Sequence, residues 1–454
     1  MNVSIVGTGY VGLTTGACLA YLGHSVTCID ADEKKIAALQ AGHVPFHEPF
    51  LNDLLTDARR HLTFTTEYAA AIQQAQVIFI AVGTPTGVNG APDLKYLESA
   101  ARSIGQCLSG EFTVVVNKST VPIGSGSWVE SLVREAYEKR AGRSAEGVFA
   151  IASNPEFLRE GSAIFDTLYP DRVVVGTDQQ RTSELLYSLY RPLLEQDFRP
   201  PVYLPRPASM GAVPLIATDI ASAELIKYAA NAFLALKISY INEIGQLAER
   251  VGADIEQVAK GIGLDARIGR RFLQAGVGWG GSCFGKDTAA LISTASEYGL
   301  DSPIVKAARA VNYRQRERVV EKLLEELKIL KGRTIGLLGL AFKPDTDDLR
   351  EAPALDIAHK LLDRGARVRA HDPVAMQRFV QENPTLEVLC CESAAETVRG
   401  CDAVVLMTEW PEYRELDWEA LRPSMRSAVV LDGRNHLDRT RLARAGFRFL
   451  SLAG

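Results

Sequence analysis

The chain repeats one succession of short apolar segments, and this repetition constrains its fold more than any other feature. The first copy reads VSIVGTGYVG, GHSVTCIDA, AQVIFIAVGTP and FTVVVNKST, and the second, from Gly332 onward, reads TIGLLGLAF, GARVRAHDP, CDAVVLMTEWP and SAVVLDGRN. Two further strands, GVFAIAS and DRVVVGT, are predicted after the first copy. Short β-branched segments that alternate with helical patterns indicate parallel βαβ units. We therefore predict an α/β protein with two Rossmann-like, doubly wound parallel-sheet domains.

The region between the two copies has a different pattern. Residues 199–214 contain too many prolines for a regular element and predict a linker. From about Asp219 to Arg250 the sequence is helical without a break, roughly 30 residues or 45 Å at 1.5 Å per residue. Because this helix is apolar on most faces, we predict that it is the spine of a central all-helical domain and the contact of a homodimer. The predicted domains are 1–205, 206–316 and 317–454.

Composition restricts the class of partner and the cellular setting. With a net charge of -5, the chain is not expected to bind nucleic acid through phosphate contacts. Its seven cysteines form no C-x-x-C pair and fit neither a disulfide framework nor a metal site, so we expect a reducing cytoplasm. No apolar segment reaches transmembrane length, and we expect no membrane contact.

The motif GTGYVG, Gly7 to Gly12, follows the first predicted strand and opens a helix. Its glycines permit a tight turn, a close approach to a pyrophosphate and the packing of helix on strand. Asp30 ends the second strand about 20 residues later, where a carboxylate binds an adenosine ribose and repels a 2′-phosphate. The pattern predicts NAD rather than NADP, and the alternative is a glycine turn beside a solvated aspartate.

Other polar residues lie where parallel strands are expected to end or on the long helix. Glu156 and Glu160 follow one strand, Thr120 follows another, and Lys227 and Asn231 lie four residues apart on one helix face. Taken singly, each has a structural interpretation: a solvated helix face, a helix start, or a lysine that reaches solvent along an apolar surface.

Cys283 lies in GVGWGGSCFGKD, a segment with five glycines. So many glycines allow a backbone to approach a ligand closely, and we expect the thiol to face a ligand rather than protein. In the second copy Ala341 and Pro344 replace Gly9 and Gly12, so this domain is expected to hold a different ligand. Three basic residues at its strand ends suit phosphates: Lys343, Arg350 and Arg434.

These motifs occur together, in the same order, in one family of enzymes. The segments GTGYVG, VGTPT, KSTVP, SNPEFLREGSA, AELIKYAANAFLA, GGSCFGKD, FKPDTDDLREAP and DGRN make the chain resemble the UDP-glucose/GDP-mannose dehydrogenases over nearly its full length. The resemblance implies an N-terminal NAD-binding domain, a central helical domain with the dimer contact, and a C-terminal domain that binds the UDP half of the substrate. It is closest to the members that convert UDP-glucose into UDP-glucuronate.

The resemblance also implies a mechanism. Cys283 matches the family's nucleophile, which carries a four-electron oxidation through a thiohemiacetal and a thioester, with two NAD and one water per sugar. Lys227 and Asn231 are expected to stabilise the oxyanions. Asp287 and Thr120 would hold or activate a water in the first step, and Glu156 would assist thioester hydrolysis.

The binding residues implied by the resemblance form two sets. The expected NAD contacts are Gly7, Gly9, Tyr10, Val11, Gly12, Asp30, Lys35, Thr84, Thr120, Glu160, Lys286 and Arg350. The expected substrate contacts are Glu156, Phe157, Leu158, Arg159, Lys227, Asn231, Arg267, Phe272, Leu273, Gln274, Ala275, Gly276, Gly280, Lys343 and Arg434. The chain departs from the family at Gly285, where proline or glutamine is common, and this is expected to loosen the turn between Cys283 and Lys286.

Three other functions compete with the oxidation of UDP-glucose. The first is the same chemistry on GDP-mannose or a UDP-N-acetylhexosamine, because the shape of the sugar pocket decides the substrate. The second is a nucleotide-sugar sensor without catalysis, which would not need Cys283, Lys227 and Asp287 together. The third is a simple two-electron dehydrogenase.

Overall fold

A computed structural model describes residues 1–87 and 90–453, so Gly454, with which the predicted third domain ends, lies outside the described residues. The described chain forms two units. One contains residues 1–229 and 289–298, and the other contains residues 230–288 and those from 299 onward.

The first unit contains an eight-stranded sheet. Its strands are β1 Asn2–Val6, β2 Ser25–Ile29, β3 Leu62–Thr65, β4 Val77–Ile80, β5 Thr113–Asn117, β6 Phe149–Ser153, β7 Val173–Gly176 and β8 Leu215–Thr218. They are arranged in the order β3-β2-β1-β4-β5-β6-β7-β8, and all neighbours are parallel except β6 and β7. The carboxyl ends of β2, β1, β4, β5 and β6 therefore lie along one edge, where open parallel sheets bind ligands.

Helices cover both faces of this sheet. They are α1 Tyr10–Tyr21, α2 Glu33–Gln40, α3 Leu51–Ala58, α4 Tyr68–Gln73, α5 Lys95–Cys107, α6 Ser125–Ala141, α7 Ala163–Leu168 and α8 Gln180–Leu194. Leu19 of α1 and Leu189 of α8 pack on one face of the sheet, and Ile104 of α5 and Val133 of α6 pack on the other. The strands are thus buried on both sides, which accounts for their continuous apolar segments.

Four helices lie between the two sheets in sequence: α9 Ile220–Val251, α10 Ile255–Gly263, α11 Phe284–Glu297 and α12 Pro303–Leu327. The first matches the predicted spine helix closely, and residues 199–214 before it contain no helix or strand, as predicted. Asp254 caps α10 by accepting hydrogen bonds from two backbone N–H groups. Among the described residues, no helix combines the length and apolarity needed to cross a membrane.

The second unit contains a six-stranded parallel sheet, in the order β11-β10-β9-β12-β13-β14. Its strands are β9 Thr334–Leu338, β10 Arg367–His371, β11 Val388–Cys390, β12 Ala403–Leu406, β13 Val429–Asp432 and β14 Arg448–Ser451. Its helices are α13 Pro353–Asp363, α14 Met376–Glu382, α15 Ala394–Val398, α16 Pro411–Arg414, α17 Trp418–Leu421 and α18 Arg439–Arg444. This is the doubly wound strand order, and the predicted fold class is confirmed.

Four strands were not predicted from the sequence, and all four are the outer strands of the two sheets: β3, β8, β11 and β14. Each has only three or four residues, and none of them contains a fully buried residue. An outer strand is covered less than a central one, so its sequence lacks the continuous apolar segment by which the central strands were recognised. One of them, β8, lies within the segment 206–316 that we expected to be helical throughout.

Candidate active site

The glycine turn between β1 and α1 is shaped by one glycine that the packing requires and one that it does not. A Cβ atom at Gly12 would lie 1.9 Å from the carbonyl oxygen of Gly7, so helix and turn touch there. A Cβ atom at Gly9, immediately before α1, would meet nothing within 4 Å. The protein leaves open space at the N-terminus of α1, where backbone N–H groups and the helix dipole favour an anion.

Asp30 follows β2 and closes the other side of this turn. Its carboxylate accepts hydrogen bonds from the backbone N–H of Thr8 at 2.9 Å and the Thr8 hydroxyl at 2.7 Å, and it pairs with the Lys35 ammonium at 3.0 Å. Burial alone would raise the pKa of Asp30, but these hydrogen bonds outweigh it and hold the pKa below the usual value. Asp30 is therefore ionised at neutral pH, as a ribose-binding carboxylate must be.

The next strand ends bring two predicted NAD contacts together. Thr84 follows β4 and Thr120 follows β5, and the Thr84 hydroxyl donates a hydrogen bond to the Thr120 carbonyl oxygen at 2.8 Å. Ser119 donates back to the carbonyl oxygen of Val82 at 2.8 Å. These bonds fix the backbone of the two loops beside the glycine turn.

Glu156 and Lys227 form a buried ion pair at the end of β6. The Lys227 ammonium, on α9, lies 2.8 Å from a carboxylate oxygen of Glu156 and 2.6 Å from its carbonyl oxygen. Both side chains are almost fully buried, at 4% and 6% exposure. The second carboxylate oxygen accepts a hydrogen bond from the Leu158 N–H at 2.8 Å. Two opposite charges held this closely compensate for the loss of water around each.

A glutamate that the sequence analysis did not single out supports the loop with Glu160. Glu48, in the loop between α2 and α3, accepts hydrogen bonds from the N–H groups of Gly161 at 2.6 Å and Ala163 at 2.7 Å, and from the Tyr10 hydroxyl. It thereby joins the glycine turn to the NPEFLREG loop. A buried acid among prolines in HVPFHEPF was the available signal, because a buried carboxylate requires donors.

In the second unit, Cys283 immediately precedes α11, and its carbonyl oxygen accepts the first hydrogen bond of that helix from Asp287 at 2.8 Å. The partial positive charge of a helix N-terminus favours a thiolate. Asp287 is fully buried, accepts a hydrogen bond from the Asn231 amide of α9 at 2.6 Å, and pairs with Lys286 at 3.1 Å. Four predicted site residues, Asn231, Cys283, Lys286 and Asp287, thus meet at one helix end.

Cys283 differs from the buried cysteines of the chain. Burial raises the pKa of the thiols of Cys18, Cys28 and Cys401, so these remain protonated at neutral pH. Cys283 is half-buried, and no disulfide joins any of the seven cysteines, all of which lie among the described residues.

Two of the glycines before Cys283 pack closely against protein, and whether the thiol faces a ligand stays a prediction. Gly281 has φ +86°, and a Cβ atom there would lie 2.8 Å from the ring of Phe342. A Cβ atom at Gly280 would lie 2.5 Å from the carbonyl oxygen of Glu351. Gly285, in contrast, lies inside α11, where a Cβ atom would approach only the flexible Glu351 side chain at 3.3 Å. The turn before the cysteine is therefore held by contacts within the second unit.

The remaining predicted substrate residues have different surroundings. Leu273 and Ala275 are buried in a cluster with α9 and α10, so only their backbone is available to a ligand. Asn242 and Gln315 hold the backbone of Gly276 through hydrogen bonds of 2.7 and 2.8 Å. Among the predicted basic contacts, Arg267 is 89% exposed beside Asp265, and Arg350 pairs with Asp348 at 2.7 Å.

Arg434 connects three loops of the second unit. Its guanidinium donates hydrogen bonds to the carbonyl oxygens of Met407 at 2.7 Å, Phe342 at 3.0 Å and Gly278 at 3.1 Å. The Lys343 ammonium lies 5.4 Å from the centroid of the Phe342 ring. Arg434 thus has a structural role in addition to the phosphate contact predicted from the sequence.

Three domains of one family match the chain in order. Residues 1–194 match the NAD binding domain of the UDP-glucose/GDP-mannose dehydrogenase family, residues 221–314 its central domain, and residues 336–439 its UDP binding domain. The chain belongs to the UDP-glucose/GDP-mannose dehydrogenase family.

Relatives of this family are similar to the chain from end to end. UDP-glucose 6-dehydrogenase TuaD of Bacillus subtilis is 43% identical, with 99% of this chain and 93% of the relative covered. The UDP-glucose 6-dehydrogenase of Pseudomonas aeruginosa is also 43% identical, with 98% and 96% covered. A solved UDP-glucose dehydrogenase from Pyrobaculum islandicum has a TM-score of 0.88 at 39% identity and covers 99% of this chain and 97% of its own.

The first unit fits the NAD that the UDP-glucose/GDP-mannose dehydrogenase family requires. The open space at Gly9 and the ionised Asp30 are what a pyrophosphate and a ribose need. The roles of the other predicted contacts with NAD and with substrate stay predictions.

Proposed function

We propose that this chain is a UDP-glucose 6-dehydrogenase, which oxidises the primary alcohol of UDP-glucose to the carboxylate of UDP-glucuronate with two NAD and one water. The observation that carries the proposal is the placement of Cys283 at the N-terminus of α11, where Asp287 in the following turn accepts a hydrogen bond from the Asn231 amide of α9. Identities of about 43% to UDP-glucose 6-dehydrogenases over the whole chain support it.

A thiol is the group that the second oxidation needs. An aldehyde has no easily transferred hydride, whereas attack by the Cys283 thiolate gives a thiohemiacetal that has one. Loss of that hydride leaves a thioester, and water then releases the carboxylate and restores the thiol. NAD, when bound, accepts the hydride in each oxidation.

The charged residues supply fixed donors and acceptors for these steps. Lys227 and Asn231 lie one turn apart on α9, and we assign them to the alkoxide and the thiohemiacetal oxygen. Asp287 and Thr120 hold or activate the water that takes the first proton, and Glu156, which already holds Lys227, assists thioester hydrolysis.

The binding residues follow the family assignments. Gly7 to Gly12, Asp30 and Lys35 hold NAD through the turn and the ribose. On the substrate side, the backbone of residues 272–276 and the basic residues Lys343 and Arg434 bind the nucleotide half. The domain boundaries proposed from the sequence lie near residues 205 and 316, so residues 272–276 belong to the proposed central domain.

The stoichiometry of NADH tests the proposal. Purified protein with limiting UDP-glucose is expected to release about two NADH per sugar, because the thiohemiacetal couples both oxidations at one site. Replacement of Cys283 by serine should block completion, since an oxygen ester is hydrolysed less readily than a thioester. Cys107→Ser, at another half-buried cysteine, is the matched control and should retain the wild-type stoichiometry. One NADH per sugar would show that the second oxidation does not occur.

A panel of nucleotide sugars separates the proposal from its nearest alternative. A UDP-D-ManNAc dehydrogenase from Pyrococcus horikoshii has the same fold, with a TM-score of 0.82, but is only 26% identical. We therefore expect kcat/KM to be highest for UDP-glucose and at least tenfold lower for UDP-N-acetylmannosamine and GDP-mannose, because the 2-substituent and the base must fit the pocket. A preference for either of these would replace UDP-glucose as the substrate.

We further propose a homodimer through α9. Large apolar side chains at spacings of seven residues, Phe233, Tyr240 and Leu247, are 61%, 51% and 60% exposed on this helix. An exposed stripe with this period suits packing against the same helix of a second copy. Light scattering should give twice the chain mass, and Leu247→Glu should give monomers. The need for a reduced Cys283 supports a cytoplasmic setting.

A further inference from the structure

A lysine that the proposed mechanism does not use lies buried behind the Glu156–Lys227 pair. Lys118 is the first residue after β5. Its ammonium donates a hydrogen bond to the side-chain oxygen of Asn154 at 2.9 Å. The same oxygen accepts a hydrogen bond from the Tyr190 hydroxyl at 2.6 Å, and the amide nitrogen of Asn154 donates to the Val174 carbonyl at 2.8 Å. Asn154 is thereby fixed in an orientation that presents its oxygen to the lysine.

Lys118 and Glu156 line the same small cavity. Its volume is about 60 Å³, and its wall also includes Asn154, Phe157 and Tyr190. A cavity of this size has room for water, and Lys118, Asn154 and Glu156 offer it polar partners in a wall that is otherwise mostly apolar. Lys118 therefore lies close enough to the ion pair for its charge to act on both Glu156 and Lys227.

Lys118 gains or loses its proton close to neutral pH. Burial lowers its pKa to about 8, with a smaller opposing effect from Glu156 and a further lowering from Lys227. Electrostatic interaction is mutual, so the charge of Lys118 acts on both members of the pair in return. An ammonium in this position favours negative charge beside it.

We propose that Lys118 is a positioning residue for the oxidation, whose protonation sets the net charge around the Glu156–Lys227 pair. The proposal rests on the function proposed above. With Lys118 protonated, the three side chains have a net charge of one positive unit, and with Lys118 neutral they have none. The charged state stabilises the oxyanions that Lys227 faces, so the chemical steps gain from a protonated Lys118.

The cavity is also lined by a tyrosine, a cysteine, an aspartate and an arginine. Burial raises the pKa of the Tyr190 hydroxyl and of the Cys18 thiol, so both stay neutral. Asp166 is paired with Arg159 at 2.6 Å. The guanidinium of Arg172 lies 3.7 Å from the centroid of the Phe157 ring and stays charged. Among the lining groups whose pKa is shifted, Lys118 is the one with a value near 8.

The ratio of wild-type kcat to that of Lys118→Met, measured from pH 6.5 to 9.5 with saturating UDP-glucose and NAD, tests the proposal. A ratio cancels the titration of groups common to both proteins. We expect it to be on the order of tenfold at pH 7, where Lys118 is charged, and to approach one above pH 9. Lys139→Met, which removes an exposed lysine of α6, is the matched control and should give a ratio of one throughout.

A constant ratio across the pH range would overturn the proposal, because a merely structural loss has no reason to follow the titration of Lys118. Absence of NADH with the wild-type protein would instead reject the proposed function. The two failures are therefore distinguishable.

Tyr190→Phe provides a second test in case Lys118→Met fails to fold. Without the hydroxyl, the Asn154 oxygen serves Lys118 alone, which stabilises the ammonium and raises its titration by roughly half to one pH unit. The kcat of Tyr190→Phe relative to wild type should then rise severalfold between pH 8 and 9 and be flat on both sides of that range. A flat ratio at all pH values would contradict the role of Lys118.

Discussion

The two parallel-sheet domains place an aspartate after their second strand, and the difference between these aspartates explains their ligands. Asp30 accepts hydrogen bonds from Thr8 at the near side of the turn and keeps part of its side chain exposed, at 15%. Asp372, at the corresponding place after β10, is buried and accepts hydrogen bonds from the N–H groups of Leu340 and Ala341 and from the Trp410 indole. N–H donors of the protein therefore occupy the Asp372 carboxylate, which would otherwise be available to a ribose.

The glycine turns differ in the same way. The second domain keeps Gly339 at the place of Gly7, because φ is +98° there and a Cβ atom would lie 2.3 Å from Thr408. At the place of Gly9 it has Ala341, whose N–H and carbonyl groups are both hydrogen-bonded within the domain. The glycine that the turn itself needs is retained, and the glycine that gives NAD room is replaced. A Rossmann-like domain therefore binds a dinucleotide only where its turn leaves polar groups for it.

The largest expected effect comes from exchanging these two aspartates for alanine. Asp372→Ala leaves five N–H donors without their acceptor, the buried ones of Leu340, Ala341, Ala375 and Trp410 and the part-buried one of Val374. We expect the free energy of unfolding to fall by about 3–5 kcal/mol, measured by urea denaturation. Asp30→Ala should cost at most about 1 kcal/mol but weaken NAD binding by roughly 10- to 100-fold in a fluorescence titration.

Equal losses of stability in the two variants would contradict the comparison. So would an unchanged NAD affinity in Asp30→Ala. Asp171→Ala, at an exposed aspartate between α7 and β7, serves as the control for both measurements and should change neither by a measurable amount.

Glycine substitutions give the next largest effect. Gly281→Ala is expected to lower the free energy of unfolding by about 1–3 kcal/mol, because φ is +86° and the new methyl group meets the Phe342 ring. Gly9→Ala should leave stability unchanged, since its methyl group enters open space, but should raise the Kd of NAD about tenfold by occupying the pyrophosphate position. Calorimetry for stability and titration for NAD separate the two.

Gly285→Ala is the matched control for Gly281→Ala, because Gly285 is helical and meets only a flexible side chain. We expect it to be neutral or stabilising by up to about 1 kcal/mol. A loss as large as that of Gly281→Ala would mean that the turn before Cys283 is not held by its own packing.

The sequence predicted the parts of the fold and site that depend on local pattern. The central strands, the spine helix and the turn at Gly7 to Gly12 were identified because burial on two faces and a glycine turn leave local signals. The outer strands left none, since they are short and half-covered. The occupation of Asp372 depends on Trp410, 38 residues later, and no local pattern contains that contact.

The same limit applies to the site. Cys283 was predicted from its motif, but the packing at Gly281 was not, because the atoms that exclude a side chain there belong to Phe342, far away in sequence. Glu48 and Lys118 were missed since their importance comes from partners on other elements, Gly161 for one and Asn154 for the other. Residue type shows what a side chain can do, and only the contacts show what it does.

A third acid shows whether burial or hydrogen bonding decides the pKa of a carboxylate. Its expected effect is the smallest. Glu224 on α9 accepts hydrogen bonds from the N–H groups of Gly124 at 2.7 Å and Gly126 at 3.0 Å, yet burial outweighs them and raises its pKa to about 7, whereas the hydrogen bonds to Asp30 win over burial. Since the unfolded pKa is near 4.5, the native state binds the proton more tightly, and stability falls as the pH rises from 4.5 to 7.

Glu224→Gln removes this titration and should therefore become more stable relative to wild type as the pH rises. We expect the difference in free energy of unfolding to change by about 1–2 kcal/mol between pH 5 and pH 8, measured by urea denaturation at each pH. Glu146→Gln, at an exposed glutamate of the same unit, should show no such change. A difference independent of pH would mean that the two N–H donors keep Glu224 ionised, and that it resembles Asp30 after all.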